Sequence, residues 1–504
     1  MARLSLPIAC AVLLLAYAAT AHAHGRFPNS SELHFHPSDS DVMLLQTTRG
    51  LVVTRDGGQT WQWLCYEIVS ENTFGQQDPA LALLEDDSVL VASRGQGVTT
   101  LAPSWCEAST QSPSASQSYY IIDVERHPAV AGAAYALTSS GGDTVNRLFR
   151  RTDGGEEWMQ TNDGIAAVFL ESLGIDPSAE ALDSTIMYIG GVTTDAEGER
   201  TGLIFRSDDG GATWGEPVSQ LPLAEDENRP LVAGIDPTDR DRVFIHVQHN
   251  TFASDPPPDR LLLSENGGED FEEVFTTASI GGFAISDDGG TVWVGDDADR
   301  GLWRSESAGA AESFEQIDDE IQVNCLQWHD ERLWICANYY TDGYNVGTSE
   351  DGGESITPLF DPTDIDGRLS CPDGSRGATV CDAAECEALV ELGVDVETSA
   401  PQCVGWGDGG PASDGGGPAD AGSNGNGGGG GCGCRVAPGL AGGSPPGASA
   451  LLVIAGVGFT WRRRRGRRSL RPRRLRWKPG AGPGPGPRPD RAPRSRGGSN
   501  PPGS

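Results

Sequence analysis

Basic residues are scarce over most of this 504-residue chain. Residues 24–461 hold 20 Lys and Arg against 71 Asp and Glu, a net charge of −51. So acidic an exterior repels nucleic acid and anionic membrane, and keeps an exposed chain soluble by self-repulsion. Signatures of common site chemistry are missing as well. There is no nucleophile elbow, no Gly-rich phosphate loop, no His-x-x-x-His helix and no paired Cys-x-x-Cys spacing. The close histidine pairs, His34 with His36 and His246 with His249, each lie in or beside one strand and read as structural. No catalytic, cofactor-binding or metal-ligating residue is assigned, and no cofactor is expected. Helical periodicity is hard to find, which leaves short strands and turns.

What is present is a repeated turn. In Ser207-Asp208-Asp209-Gly210-Gly211-Ala212-Thr213-Trp214 an apolar run leads into Asp-Gly-Gly, and a Trp opens the return. Asp can hydrogen-bond its own backbone, Gly accepts positive φ, and the Trp supplies a large face to bury. On that reading, Trp214→Ala removes a buried aromatic and costs about 3–5 kcal/mol. Residues 54–61 repeat the pattern in full, with Asp56 and Trp61. The copies at 151–158 (Asp153, Trp158), 264–271 (Asn266, Phe271) and 349–356 (Asp351, ending in Ile356) are partial. A decayed copy ends at Phe314, and Trp105 is an anchor without Asp-Gly-Gly. The anchors stand 42 to 57 residues apart, the period of repeated supersecondary units.

Each unit opens with an apolar strand ending in a turn such as His36-Pro37, His127-Pro128, Asp176-Pro177 or Asp236-Pro237. A second apolar run follows, then the strand into the Asp-Gly-Gly turn and the strand after it. Four short strands per unit predict an all-β fold: a single β-propeller of seven four-stranded blades across 33–360. The units read as 33–69, 79–113, 121–160, 170–218, 231–275, 281–317 and 323–360. Ser286 to Trp293 fits the turn pattern loosely, but falls between the first two strands of its unit.

The repeated turn resembles the Asp-box, or bacterial neuraminidase repeat, of sialidase-, xyloglucanase- and sortilin-like propellers. In that family the box joins the two outer strands of a blade and is structural. The resemblance covers the repeats and brings three functional readings. The first is a non-enzymatic binding or scaffold module for a protein or glycan. The second is a sialidase- or xyloglucanase-like glycoside hydrolase, which needs an arginine triad or a converging acid pair at the ring centre. The inner strands read as poor in such groups, with Glu125-Arg126 as the one arginine-bearing case. The third is a scaffold like the photosystem II assembly/stability factor, which binds a membrane-protein partner.

The flanks read as targeting elements. Arg3, the apolar stretch 6–19 and Ala21-His22-Ala23 form a signal peptide over 1–23. Ten cysteines remain after its removal, an even number that suits disulfides in an exported chain. Cys325 and Cys336 face each other across a predicted hairpin. Cys65 and Cys106 follow the anchors of successive blades and are candidates to pair. Cys371, Cys381, Cys386 and Cys403 fall in a cysteine-bearing segment, 364–406, with three possible connectivities and a short helix from Ala383 to Leu392. Residues 407–431 are a Gly-rich stalk of the disordered class, with a reach of roughly 25–30 Å.

The order Cys432-Gly433-Cys434, apolar run 448–461 and Arg462 to Arg465 resembles the myxobacterial MYXO-CTERM sorting signal over 432–465. That resemblance implies export, a membrane segment at 448–461, recognition by a sorting protease and anchoring at the cell surface or outer membrane. Cys432 and Cys434 are the residues carried over. A plain membrane anchor predicts nearly the same location. The sequence departs from that family in a basic tail, 466–504, beyond the arginines.

Overall fold

The second run of each unit sets the architecture. Met43–Thr47, Val89–Ser93 and Val292–Asp296 are buried at every position. A strand hidden on both sides needs a packed layer on each. The computed structural model supplies those layers as seven antiparallel sheets of four strands in a β-propeller. It describes residues 30–403 apart from 70–78, 94–96, 112, 114–119, 141–144, 153–156, 167, 252, 393, 395 and 401–402. The signal peptide, Asp153, the stalk, Cys432, Cys434, the 448–461 run and the basic tail lie outside the described residues. Among those described, no helix is long and apolar enough to cross a membrane.

The blades span 30–64, 80–111, 120–160, 169–222, 227–277, 280–318 and 323–360, each a meander of consecutive strands. First strands of successive blades pack on one another around the axis. This topology defines two faces. The loop face carries the starts of the first strands and the connections between second and third strands. The turn face carries the connections between first and second strands and between third and fourth.

The anchors are not equally buried. Trp61 and Trp105 are 1% and 0% exposed, and Trp158 is 9% exposed. Trp214, Phe271, Phe314 and Ile356 are only partly buried at the margins of their cores. Trp61 opens the fourth strand of its blade, Trp61–Leu64. Trp214 instead precedes its fourth strand, which begins at Ser219. The expectation of a buried Trp214 is therefore corrected to a partly buried one, which packs at the core margin with four residues between it and the fourth strand.

Ring closure uses no shared blade, since blade 1 takes all four strands from the N-terminal side. Its first strand meets blade 7 directly. Phe35 stacks on His329 at 4.1 Å and meets Trp334 edge-on at 4.9 Å. Beyond blade 7 the chain adds Ile365–Arg368 as a parallel fifth strand on the outer edge of blade 1. The helix Arg376–Leu392 follows. It starts earlier than Ala383 because the Ser375 hydroxyl accepts the Ala378 N–H at 3.2 Å, a side-chain cap on the first turn. Arg376 Nε donates to the Ile68 carbonyl at 2.7 Å, which holds this end of the helix on blade 1.

Disulfides fix this clasp. Cys65 joins Cys381, and Cys106 joins Cys371. The pairing of Cys65 with Cys106 is thus corrected. The two side chains reach outward to the returning C-terminal segment, a proximity of residues 265 and 316 apart that sequence spacing does not reveal. Cys386 joins Cys403 within the segment, and Cys325 joins Cys336 directly across the first hairpin of blade 7.

Two stability outcomes follow. Trp61→Ala should cost about 3–5 kcal/mol, and Trp214→Ala clearly less, as read from denaturant midpoints. Equal losses would refute the burial difference. Replacing Cys65 and Cys381 together with Ser should destabilise by about 2–4 kcal/mol, and peptide mapping without reduction should recover the four links above. An unchanged midpoint in the double variant would show that the clasp does not hold the ring.

Candidate functional site

The Asp-Gly-Gly turns share one hydrogen-bond pattern. Thr60 N–H donates to Asp56 Oδ1 at 2.9 Å, Thr60 Oγ1 donates to Asp56 Oδ2 at 2.7 Å, and Gly58 N–H donates to Thr54 Oγ1 at 3.0 Å. Asp209 receives the same pair from Thr213, and Asp351 from Ser355. Asn266 keeps the backbone bond, from Asp270. Hydrogen bonds to the ionised form, chiefly from Ser355, pull Asp351 down to about 2. Gly210 and Gly211 hold φ of 67° and 78°. A side chain at Gly210 would drive its Cβ to 1.8 Å from the Leu182 carbonyl oxygen.

The first glycine also ties the two kinds of turn together. Gly57 N–H donates to Asp41 O at 3.0 Å, Gly210 to Thr185 O at 3.0 Å, and Gly267 to Asp241 O at 2.8 Å. Each acceptor lies in the connection between the first and second strands of the same blade. In those connections His and Asp do one job. Asp236 Oδ1 accepts Thr238 and Asp239 N–H, and His36 Nδ1 accepts Ser38 and Asp39 N–H. His127 Nδ1 does the same for Ala129 and Val130, and burial lowers its proton affinity, which favours the neutral acceptor.

Arginines then link neighbouring blades on this face. Arg55 Nη1 donates to Asp87 at 3.1 Å with its guanidinium 3.7 Å from the Trp105 ring centroid. Arg150 reaches Asp183 at 3.2 Å, Arg206 reaches Asp241 at 2.6 Å, and Arg304 reaches the Gly352 carbonyl at 3.2 Å. Sequence reading missed these four. Their one signal is position, each within one residue of the end of a third strand. On the turn face these aspartates, histidines and arginines accordingly form a structural network.

The channel holds a different set. A cavity of about 280 Å³ is lined by Glu125 and Arg126 of blade 3, Leu173 and Gly174 of blade 4, and Val232 and Gly234 of blade 5. Asp123 Oδ2 accepts the Leu173 N–H at 2.8 Å. Both carboxyls keep a little exposure to the channel but are walled by protein. Burial, reinforced by the Glu32 charge, pushes Asp123 up to about 7 against the pull of the Leu173 bond and Arg229. Burial, with the charges of Asp123 and Glu32, pushes Glu125 well above the carboxylate range. Arg229 pairs with Glu171 at 2.9 Å. The sequence view of an arginine-poor centre missed Arg229, because the first strand of blade 5 begins at Glu227 and not at Leu231. Both carboxyls are thus raised above the ordinary carboxylate range, chiefly by burial in the channel wall.

The second histidine pair is buried at the loop-face end of blade 5. His246 Nε2 lies 2.8 Å from Asp259 Oδ2 and His249 Nδ1 lies 2.7 Å from Asp259 Oδ1. Asp259 also accepts the Ile280 N–H at 2.9 Å, joining blade 5 to blade 6. Among the described residues no group of His, Cys, Asp and Glu is placed to hold a metal ion.

Among the described residues, most of the exposed large hydrophobic side chains lie on the loop face. Five large hydrophobic side chains are exposed among the described residues: Tyr120, Val145, Met159, Phe169 and Tyr340. Four of them, all but Met159, lie on the loop face. Tyr120 and Phe169 are the first residues of adjacent first strands and stand at the channel mouth. Tyr340 sits in the short helix Tyr339–Asp342 between the second and third strands of blade 7.

No protein-family model and no curated protein matches the chain. Solved structures similar to it include hydrazine synthase of Kuenenia stuttgartiensis, at 10% identity over 66% of this chain and 98% of that one, with a TM-score of 0.44. YCF48 from Cyanidioschyzon merolae is similar at 14% identity over 61% and 93%, TM-score 0.40. The GH74 xyloglucanase from Xanthomonas campestris is similar at 14% identity over 69% and 66%, TM-score 0.29. Likeness at these identities concerns the fold alone.

The channel makes stability depend on pH. Folded Asp123 keeps its proton to about pH 7, whereas an unfolded Asp loses it near its ordinary value. Across that window the unfolded chain binds fewer protons, so stability falls as pH rises, by up to about 1.4 kcal/mol per pH unit, and levels above it. Asp123→Asn should gain on the parent between pH 5 and pH 8 in denaturant midpoints. Parallel pH curves for the two proteins would refute the raised Asp123.

Proposed function

We propose that this chain is an exported, surface-anchored β-propeller that binds a protein or a glycan without catalysing a reaction. The observation that carries the reading is the gathering of four of the five exposed large hydrophobic side chains on the loop face. Isolated surface apolar residues need no explanation, but two aromatic side chains exposed on adjacent first strands at the channel mouth, Tyr120 and Phe169, mark a contact surface. The turn geometry supports the Asp-box resemblance, with its carboxylates engaged in holding backbone.

Four disulfides among the described residues support an oxidising destination, in keeping with the signal peptide read at 1–23. Anchoring is proposed from sequence: the stalk 407–431 spaces the ring from the membrane, Cys432 or Cys434 is where a sorting protease cuts or the chain is modified, and Arg462 to Arg465 hold the end of the 448–461 segment inside. The hydrolase reading would draw its acids from Asp123 and Glu125, at a channel cavity of about 280 Å³, at the lower edge of the roughly 300–1,000 Å³ of ordinary ligand pockets.

Truncation after Gly431 should release a folded, soluble propeller into the medium, detected by its disulfide-intact mass. Replacing Cys432 and Cys434 with Ala should leave a longer, uncut form in the membrane. Display and processing equal to the parent would remove the sorting reading and leave the plain anchor. Turnover of xyloglucan or sialyllactose by purified protein, abolished in Glu125→Gln, would replace the binding reading with the hydrolase one.

A further inference from the structure

Exposed carboxylates stand on both faces, Glu180, Asp183 and Glu265 among those on the turn face. Arg55, Arg150, Arg206 and Arg304 are committed to links on the turn face. On the loop face, Arg229 is held by Glu171, and Arg260 by Glu227 at 2.6 and 2.7 Å. Arg200 is exposed there, at the end of a connection that is otherwise acidic. The connection after the second strand of blade 4 presents Asp195, Glu197 and Glu199, and the linker to blade 5 presents Glu225 and Asp226. Asp195 Oδ1 accepts the N–H groups of Glu197 and Glu199 at 3.0 and 2.8 Å, so its own carboxylate shapes the loop. Phe169 pairs with Val192, three residues from that loop. The exposed apolar surface of blades 3 and 4 therefore borders a rim of negative charge.

We infer that the loop face of blades 3 to 5 docks a basic, lysine- or arginine-bearing peptide segment of a partner protein. The inference rests on the binding reading and supplies the chemistry of the ligand. Tyr120, Val145 and Phe169 take the apolar stems, with the aromatic faces of Tyr120 and Phe169 holding a cationic head. Glu197, Glu199 and Glu225 supply complementary charge, which steers encounter and rejects acidic partners. A neutral glycan would use the aromatic rings but gain nothing from the rim, and an anionic glycan would be repelled by it.

The test measures binding of fluorescent decalysine to the purified full-length protein in 50 to 300 mM salt, with decaglutamate and cellohexaose as parallel probes. Decalysine should bind, weakening as salt rises, and the other two should not. Tyr120→Ala with Phe169→Ala, a change that leaves net charge untouched, should weaken decalysine about tenfold, the scale of a two-residue hot spot. Glu197→Gln with Glu199→Gln should weaken it several-fold. Glu180→Gln with Glu265→Gln, an equal charge change on the turn face, should alter it less than about twofold. Circular dichroism and denaturant midpoints confirm that each variant is folded. Equal losses from the two Gln pairs, or parent-like binding by the aromatic variant, would mean attraction by net charge alone and overturn the proposal. So would an absence of decalysine binding. Cellohexaose binding that needs Tyr120 and Phe169 would also overturn it, while leaving the binding reading in place. Hydrolysis of cellohexaose would remove both.

Discussion

Ring closure is the constraint on which the rest of this structure depends. A blade has two apolar faces and is stable only between two neighbours, so the first blade cannot finish packing until the last arrives. Here the last blade meets the first through Phe35, His329 and Trp334, with no strand exchanged between them. The clasp adds what that contact lacks. Its strand covers the outer edge of blade 1, and Cys381 and Cys371 bond it to blades 1 and 2. Covering that edge also removes a row of unpaired backbone groups. Long covalent loops limit the unfolded chain, which suits a fold whose closing contacts are far apart in sequence.

The closed ring divides its polar groups by face. On the turn face, the first-glycine N–H groups of Gly57, Gly210 and Gly267 reach carbonyls of the neighbouring connections, and arginines cross to the next blade. These bonds hold the turns and join neighbouring blades, so the residues that make them are specified by the needs of folding. The loop face is freer. Its connections differ in length and sequence from blade to blade, and it holds the exposed aromatic residues and the acidic rim. Fold and binding are thus assigned to opposite ends of the same strands, a common arrangement where a rigid scaffold carries loops.

The channel belongs to neither face. Asp123 and Glu125 stand two residues apart on the first strand of blade 3, and burial as the inner strands converge raises both carboxyls. Their cost at higher pH is a consequence of closing the ring around them. The paired Glu171 and Arg229 show the alternative outcome, in which a charge at the same radius finds an opposite charge on the adjacent blade.

Sequence alone determined the repeat. Local rules suffice for it: Asp hydrogen-bonds its own turn, glycine accepts left-handed φ, and a run buried on both sides must be apolar. Those rules placed seven units of four strands, with boundaries a few residues from the observed ones. Tertiary structure alone decided whatever joins distant segments. Cys65 and Cys106 looked like a pair because they sit in consecutive units, yet each meets a cysteine more than 260 residues away. Arg229 was invisible as a channel residue until the start of its strand was fixed by pairing with Gln248. Trp214 and Trp61 share one motif and differ in burial, because the length of connection before the fourth strand is set by how each blade packs. Periodicity encodes what neighbours along the chain do. Proximity across a closed ring is created only when the first blade meets the last.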